Sequence, residues 1–321
     1  MTGGAAGGRG IASGRAFFRR RFWRGVLCAV AGGALWGFSG ACAQYLYARY
    51  DIDPLFITWV RMLGSGVLFM AILAVIQKDR LRRLLHERAT LAKLAFFGVA
   101  GLFLCQYTYT ASVNATNAGT ATVLQSLNTV FIVGATCLMM RRRPRAMELG
   151  GLALALAATW LIATKGNPAA LMIPPAGLAW GVANALSCTL YIMYPKRLFE
   201  RWGSLLVTGT GMLIGGVAAA FIWLVGGAFG MPPSVPALGL DGIVVLAAIA
   251  LVGTLAAFGL YLHGVSVVGS VKGGLLGTVE PGSAMVLSAL WLGTMFTWAD
   301  WLGLVLMVAM VFLVTLSGKD E

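Results

Sequence analysis

The sequence predicts an all-α integral membrane protein: ten transmembrane helices, arranged as two five-helix inverted repeats around a central cavity. Three observations carry this expectation. Of 321 residues, 59% are apolar and only 11% charged, too little charge to clothe a soluble protein of this size. The apolar residues fall into ten segments, each long enough to cross a hydrocarbon core of about 30 Å. The second half of the chain repeats the first, and five segments per half turn the second copy upside down in the membrane.

Taken in order, residues 1–24 are rich in Gly and Arg, with Arg15, Arg19, Arg20, Arg21 and Arg24. They read as a mobile, basic cytoplasmic tail. Spans are expected at 25–47, 54–76, 91–112, 117–140, 146–164, 175–195, 203–225, 242–263, 267–292 and 299–317. Ala41-Cys42-Ala43 resembles a signal-peptide cleavage site. The apolar stretch before it outruns a usual signal core and has a twin later in the chain, which favours a retained first span. Breaks fall at Asp51-Ile52-Asp53-Pro54, at the run from Lys78 to Arg88, at Arg141-Arg142-Arg143-Pro144 and at Met231-Pro232-Pro233, each a cluster of turn or charge signals.

Twenty Lys and Arg residues lie on the side of the N-terminus, Arg49 and Lys165 lie on the other, and Arg61 and Lys272 lie inside spans. That bias places both termini of a multi-pass protein on the cytoplasmic side of the plasma membrane. The net charge of +13 is divided among these short clusters without interleaved aromatics, so it sets topology and does not describe a nucleic-acid surface. Cys28, Cys42, Cys105, Cys137 and Cys188 lack metal-ligand spacing and read as small buried apolar residues.

The repeat is explicit. Ala34-Leu35-Trp36-Gly37 in span 1 answers Leu178-Ala179-Trp180-Gly181 in span 6. Thr58, Met62, Leu63, Gly66 and Val67 in span 2 answer Thr208, Met212, Leu213, Gly216 and Val217 in span 7. From span 3 to span 5 a constant offset of 152 pairs Gly101 with Gly253, Tyr109 with Tyr261, Asn128 with Glu280, Glu148 with Asp300, and Gly151 with Gly303. The two repeats are expected to occupy 25–165 and 175–317. Such an architecture puts a site between the halves and lets them rock around it.

The candidate site centres on Gly269 to Trp291. Glu280 lies about 15–17 Å from either end of that segment at helical rise, too deep to reach an interface. Pro281 removes a backbone donor and acts as a hinge. Gly269, Gly273 and Gly277 offer a face on which another helix packs closely. Lys272 sits near the end, where its stem can carry the ammonium to the interface. Glu280 reads as a proton-coupling or amine-binding group, or as a structural acid bonded to backbone freed by Pro281 or paired with a basic neighbour. Arg61, about 10 Å inside span 2, reads as a substrate-carboxylate contact or a helix-locking partner. Span 4 carries Asn117, Thr120, Thr122, Gln125, Ser126, Asn128 and Thr129. Gln125 and Asn128 share a face, suited to a polar cavity wall or to interhelical bonding. Trp36, Trp180, Tyr107 and Tyr109 are candidates to pack against a substrate, whereas Trp23, Trp202, Trp298 and Trp301 read as interface anchors.

With Trp36-Gly37 and Trp180-Gly181, Arg61 early in span 2, Glu280-Pro281 in span 9 and two five-span halves, the chain resembles the EamA-type branch of the drug/metabolite transporter superfamily over roughly residues 25–317. The resemblance implies ten helices in a basket, spans 4 and 9 near its axis, and export of small metabolites or amino acids. Two features depart from the pattern. Thr129 stands where a first half often has proline, and Arg141-Arg142 and Gly293-Thr294 replace a closing Gly-Glu.

The expected function is a secondary active transporter that exports a small polar metabolite or amino acid by alternating access, proton-coupled or exchange-driven. No Walker loop, metalloprotease or nucleophile-elbow motif is present, so gradients are the expected energy source and no cofactor or metal is expected. The expected partners are a small-molecule substrate and the lipid bilayer, with the oligomeric state open and a monomer among the options. The alternatives are an intramembrane enzyme or lipid-handling protein using Glu280 or His263, an anion or phosphate-metabolite antiporter using Arg61 and Lys272, and a structural or sensory membrane protein.

Overall fold

A computed structural model of the chain describes residues 6–228 and 236–317; the Met231-Pro232-Pro233 break and Lys319 lie outside them. Among the described residues ten helices are long and apolar enough to cross a membrane. They are Arg21–Arg49 (span 1), Pro54–Ile76 (span 2), Arg88–Ala115 (span 3), Ala118–Met139 (span 4) and Ala146–Thr164 (span 5), then Pro175–Trp202 (span 6), Ser204–Gly226 (span 7), Leu240–Val268 (span 8), Lys272–Leu292 (span 9) and Trp298–Leu316 (span 10). The chain is a multi-pass membrane protein.

Local chemistry sets the span starts. Asp53 caps span 2 by accepting from Leu55 N at 2.6 Å, with Pro54 as first helical residue, where its missing N–H costs nothing. Asn117 caps span 4 by accepting from Thr120 N at 2.8 Å. Two stretches are more helical than expected. The helix of span 1 runs back to Ala6, because Ala and Arg are strong helix formers and a long span supplies the nucleus. The charged run after span 2 forms the helix Lys78–His86, with Asp79 in its first turn and Arg83 and His86 in its last, as the helix dipole favours. Leu81 and Leu84 anchor it.

Helix pairing shows the internal symmetry. Span 1 packs on spans 8 and 9, span 6 packs on spans 3 and 4, span 2 on span 7, and span 5 on span 10. Exchanging the halves turns the first pair of contacts into the second and leaves the last two unchanged. Each half therefore lends its first span to the other, giving one body of spans 1, 8 and 9 and another of spans 3, 4 and 6.

The irregularities obey the same symmetry. Span 3 contains a π-helical stretch at Phe97–Phe103 and span 8 another at Leu251–Ala256, overlapping at the offset of 152. Span 4 breaks at Ser126-Leu127 and span 9 at Thr278, again corresponding. In span 9 the break falls one turn before Pro281, whose missing N–H leaves the Gly277 carbonyl without its helical donor. In span 4 the twin of Pro281 is Thr129, yet the helix breaks there too. Ser126 N, Leu127 N, Thr129 N and Val130 N bond three residues back, and the Ser126 hydroxyl donates to the Thr122 carbonyl at 3.2 Å, a contact that bends helices.

At the starts of spans 5 and 10, Glu148 and Asp300 are twins in role. Each accepts from the backbone N–H three residues earlier, Arg145 and Thr297. Each also pairs with a base: Arg142 at 2.7 Å for Glu148, and Lys165 for Asp300.

Candidate functional site

The break in span 9 carries Glu280 at the start of the helix Val279–Leu292, in the interior of the bundle and half-buried. Its hydrogen-bond partner is Gln125, which closes the corresponding half of span 4 and donates from Nε2 to Glu280 Oε1 at 3.3 Å. Two broken helices thus bring an acid and an amide together at mid-span, one from each body.

Span 1 reaches this point through its glycines. A Cβ on Gly37 would fall 2.7 Å from the Glu280 carbonyl oxygen and 2.7 Å from Ala284 N, so only glycine admits this approach. Gly181 does the same for span 6, where a Cβ would fall 2.5 Å from Leu124 Cδ1. Beside these glycines, Trp36 packs edge-on to Phe258 and against Tyr261, and Trp180 lies edge-on to Tyr107. Of the three small residues in span 9, Gly273 and Gly277 do face a neighbour, span 8 at Val265 and Tyr261. Gly269 is the N-cap, with φ 89°, and lies outside that face.

Arg61 is 2% exposed. Its Nε donates to Thr254 Oγ1 at 3.3 Å, and Nη1 has no partner. The π-helical turn of span 8 builds this contact. Thr254 donates to the Ile249 carbonyl five residues back at 2.8 Å, and the Ala250 carbonyl accepts from Ser65 of span 2 at 2.7 Å. Such turns recur at functional sites because they free backbone groups and shift side chains. Arg61 lies within charge range of Glu280 and Tyr109, but among the described residues no ion pair joins Arg61 to Glu280. The Tyr109 hydroxyl is buried and unbonded, pressed over Gly40 of span 1.

The other predicted site residues have different partners. Asn128 donates to Cys188 Sγ at 3.1 Å, and its carbonyl accepts from Thr189, so it faces span 6. Lys272 is exposed, its Nζ 4.8 Å from the centre of the Phe22 ring. Its long stem carries the charge away from the group around Glu280. His263 is exposed as well.

Two polar residues of this region escaped the sequence reading. Thr254 holds Arg61. Gln44, near the end of span 1, accepts from Ala118 N at 2.9 Å and Ser288 Oγ at 3.0 Å and donates to Thr294 Oγ1 at 2.8 Å. The available signal was an amide inside an apolar span, which in a membrane marks a helix contact.

The profile of the EamA-like transporter family matches the chain twice, at residues 23–164 and 175–316. The chain is 34% identical over 298 residues to the uncharacterized inner membrane transporter YicL of Salmonella typhimurium, covering 92% of this chain and 96% of that one. A solved crystal structure superposes with a TM-score of 0.63 at 18% identity, over 92% of this chain and 98% of the other, a likeness of fold. Ten spans, a doubled family match and a transporter relative along nearly the whole length agree: this membrane transporter belongs to the EamA-like transporter family.

Proposed function

We propose that the protein exports a small polar metabolite or amino acid across the inner membrane by alternating access, coupled to proton movement or to exchange, with Glu280 as the proton-carrying group. The observation that carries this reading is the partnership of Glu280. A carboxyl at mid-span is expensive to keep charged, and its hydrogen-bond partner is a neutral amide. An amide suits both protonation states: its NH2 donates to a carboxylate, and its carbonyl accepts from a carboxylic acid. A guanidinium in contact would instead hold the group ionised. The name of the Salmonella relative supports the inner membrane, and the charge bias supports cytoplasmic termini.

A second reading rests on Arg61. Its unpartnered Nη1 suits an acidic solute, a carboxylate or phosphate ester, carried by antiport.

Counterflow in proteoliposomes with pooled amino acids, nucleobases and sugar phosphates identifies the solute and separates the two readings. Glu280→Gln then abolishes gradient-driven transport and leaves solute exchange intact, because exchange needs no net proton movement. Full proton-driven transport by a well-folded Gln variant refutes the coupling role. Flux of none of these solutes, with hydrolysis of a lipid or peptide instead, favours an intramembrane enzyme.

A further inference from the structure

The two bodies are not related symmetrically in the structure, and the asymmetry isolates one side chain. In the half of span 4 nearest the Arg49 face, Ala118–Gln125, every residue but Gln125 is buried. That half packs against spans 1 and 9 of the other body. Its twin is the half of span 9 nearest the Arg142 face, Ser270–Gly277. There only Gly273 is buried among the side chains described, Gly274 has open space around it, and among the described residues no packing onto spans 4 and 6 matches that of Ala118–Gln125 onto spans 1 and 9. The bodies are closed together at the Arg49 face and parted at the other.

The polar tie across the closed face is Gln44. The Ala118 N–H belongs to the first turn of span 4 and has no acceptor within its own helix; Gln44 Oε1 supplies one. Ser288 and Thr294, on the same body as Gln44, hold the amide in place. Alanines 121 and 284 fill the seam beneath. The offset that pairs Trp36-Gly37 with Trp180-Gly181 pairs Gln44 with Cys188. The counterpart of the tie at the parted face is therefore a thiol, a far weaker donor and acceptor than an amide, and its sulfur accepts from Asn128 of its own body.

We infer that Gln44 is a one-sided latch: it holds the Arg49 face shut between turnovers, and among the described residues no equivalent latch exists at the opposite face, so the idle transporter rests open on the Arg142 side. This rests on the alternating-access reading and deepens it. Gln44 is a positioning residue, since it acts on the bodies and not on the solute.

The test uses the full-length protein in oriented membrane vesicles. Ala121→Cys places a thiol in the closed seam, and an impermeant maleimide is added to the Arg49 face, with labelling at residue 121 read by peptide mass spectrometry. Labelling of Ala121→Cys alone is slow. Adding Gln44→Leu speeds it about tenfold, the scale set by leaving a buried donor unpaired. Gln44→Glu restores the slow rate, because a carboxylate keeps both acceptor roles and the Thr294 hydroxyl can turn to donate. Labelling of the Leu variant at the parent rate overturns the latch, and a lowered melting midpoint with unchanged labelling assigns Gln44 a structural role only. Should the Leu variant fail to fold, Ser288→Ala with Thr294→Val takes its place, and the parent rate again overturns the proposal. Residue 121 reached equally from both faces, or from neither, in every folded variant defeats alternating access itself, a result distinct from failure of the latch.

Discussion

At the scale of single residues, the site is defined by what crowds and what is left unpaired. Gly37 and Glu280 form one unit: the acid occupies its place because span 1 has no side chain at the crossing. Gly37→Ala drives a methyl group into the Glu280 carbonyl and the Ala284 N–H. Both are backbone atoms that cannot rotate away, so a loss of about 1–3 kcal/mol is expected, read as a lowered melting midpoint together with lost transport. Gly134→Ala is the control, since nothing lies within 4 Å of its added Cβ; it leaves transport unchanged and the melting midpoint level or slightly raised, as alanine is the better helix former. Arg61 gives the complementary case. Its Nε is held by Thr254 while Nη1 is buried without a partner, and such an orphan is costly unless a ligand meets it. Arg61→Gln is therefore expected to raise the KM for an acidic or zwitterionic solute and to leave a neutral one unaffected. Equal change for both solutes would assign Arg61 to packing alone.

At the scale of elements, the two broken helices do the positioning, and they differ in how far the sequence disclosed them. Pro281 announced the interruption in span 9, because a missing N–H is visible in the sequence. The matching interruption in span 4 was not legible: it depends on hydroxyl groups turning back to carbonyls, and most Ser and Thr residues in spans do this without breaking a helix. The π-helical turns were equally hidden, since one extra residue in a turn leaves no trace in composition. Hydrophobic length, by contrast, is a property of composition, and the ten spans are readable to within five residues at every end except that of span 6, which runs on to Trp202. Gln44 is not legible either, because a polar side chain near a span end has the signature of an interface residue, and only its partners on spans 4 and 9 distinguish it. The helix from Ala6 is masked in the sequence by its Gly content, which argues against helix while Ala and Arg argue for it. The symmetry of the breaks yields a prediction. Thr129 already sits in the first turn of the helix Asn128–Met139, where its N–H bonds three residues back. Thr129→Pro should then cost under about 1 kcal/mol, against roughly 3 kcal/mol for proline at Ala135 in the same helix. Melting midpoints in detergent compare the two, and equal losses would show that span 4 is continuous in solution.

At the scale of the whole molecule, ion pairs report which loops share a face. Arg49 at the end of span 1 pairs with Asp241 at the start of span 8, and Lys165 after span 5 pairs with Asp300 at the start of span 10. On the opposite face, Glu87 before span 3 pairs with Arg201 at the end of span 6, and Arg80 donates to the Trp202 carbonyl at 2.9 Å. A miscounted span would separate such partners by about 30 Å of hydrocarbon, so the pairs support the count of ten independently of hydropathy. They differ in weight. Asp300 is almost wholly buried, and removing its partner with Lys165→Met is expected to cost roughly 3 kcal/mol. The exposed Arg49–Asp241 pair is solvated, and Arg49→Met is expected to leave the melting midpoint where it was. The pairs settle which loops lie together and leave the side of the membrane to the charge bias. The face of Lys78, Arg142 and Lys196 holds nearly all the loop cations, the bias on which the proposed cytoplasmic placement of this face rests. Single cysteines at Asp51 and Asn167 should therefore react with an impermeant maleimide added to intact cells, and cysteines at Arg82 and Arg143 should react only after the cells are opened. Labelling of Arg143→Cys in intact cells, with Asp51→Cys silent, would invert the whole molecule: the resting opening would then face outward, and the latch at Gln44 would close the cytoplasmic side.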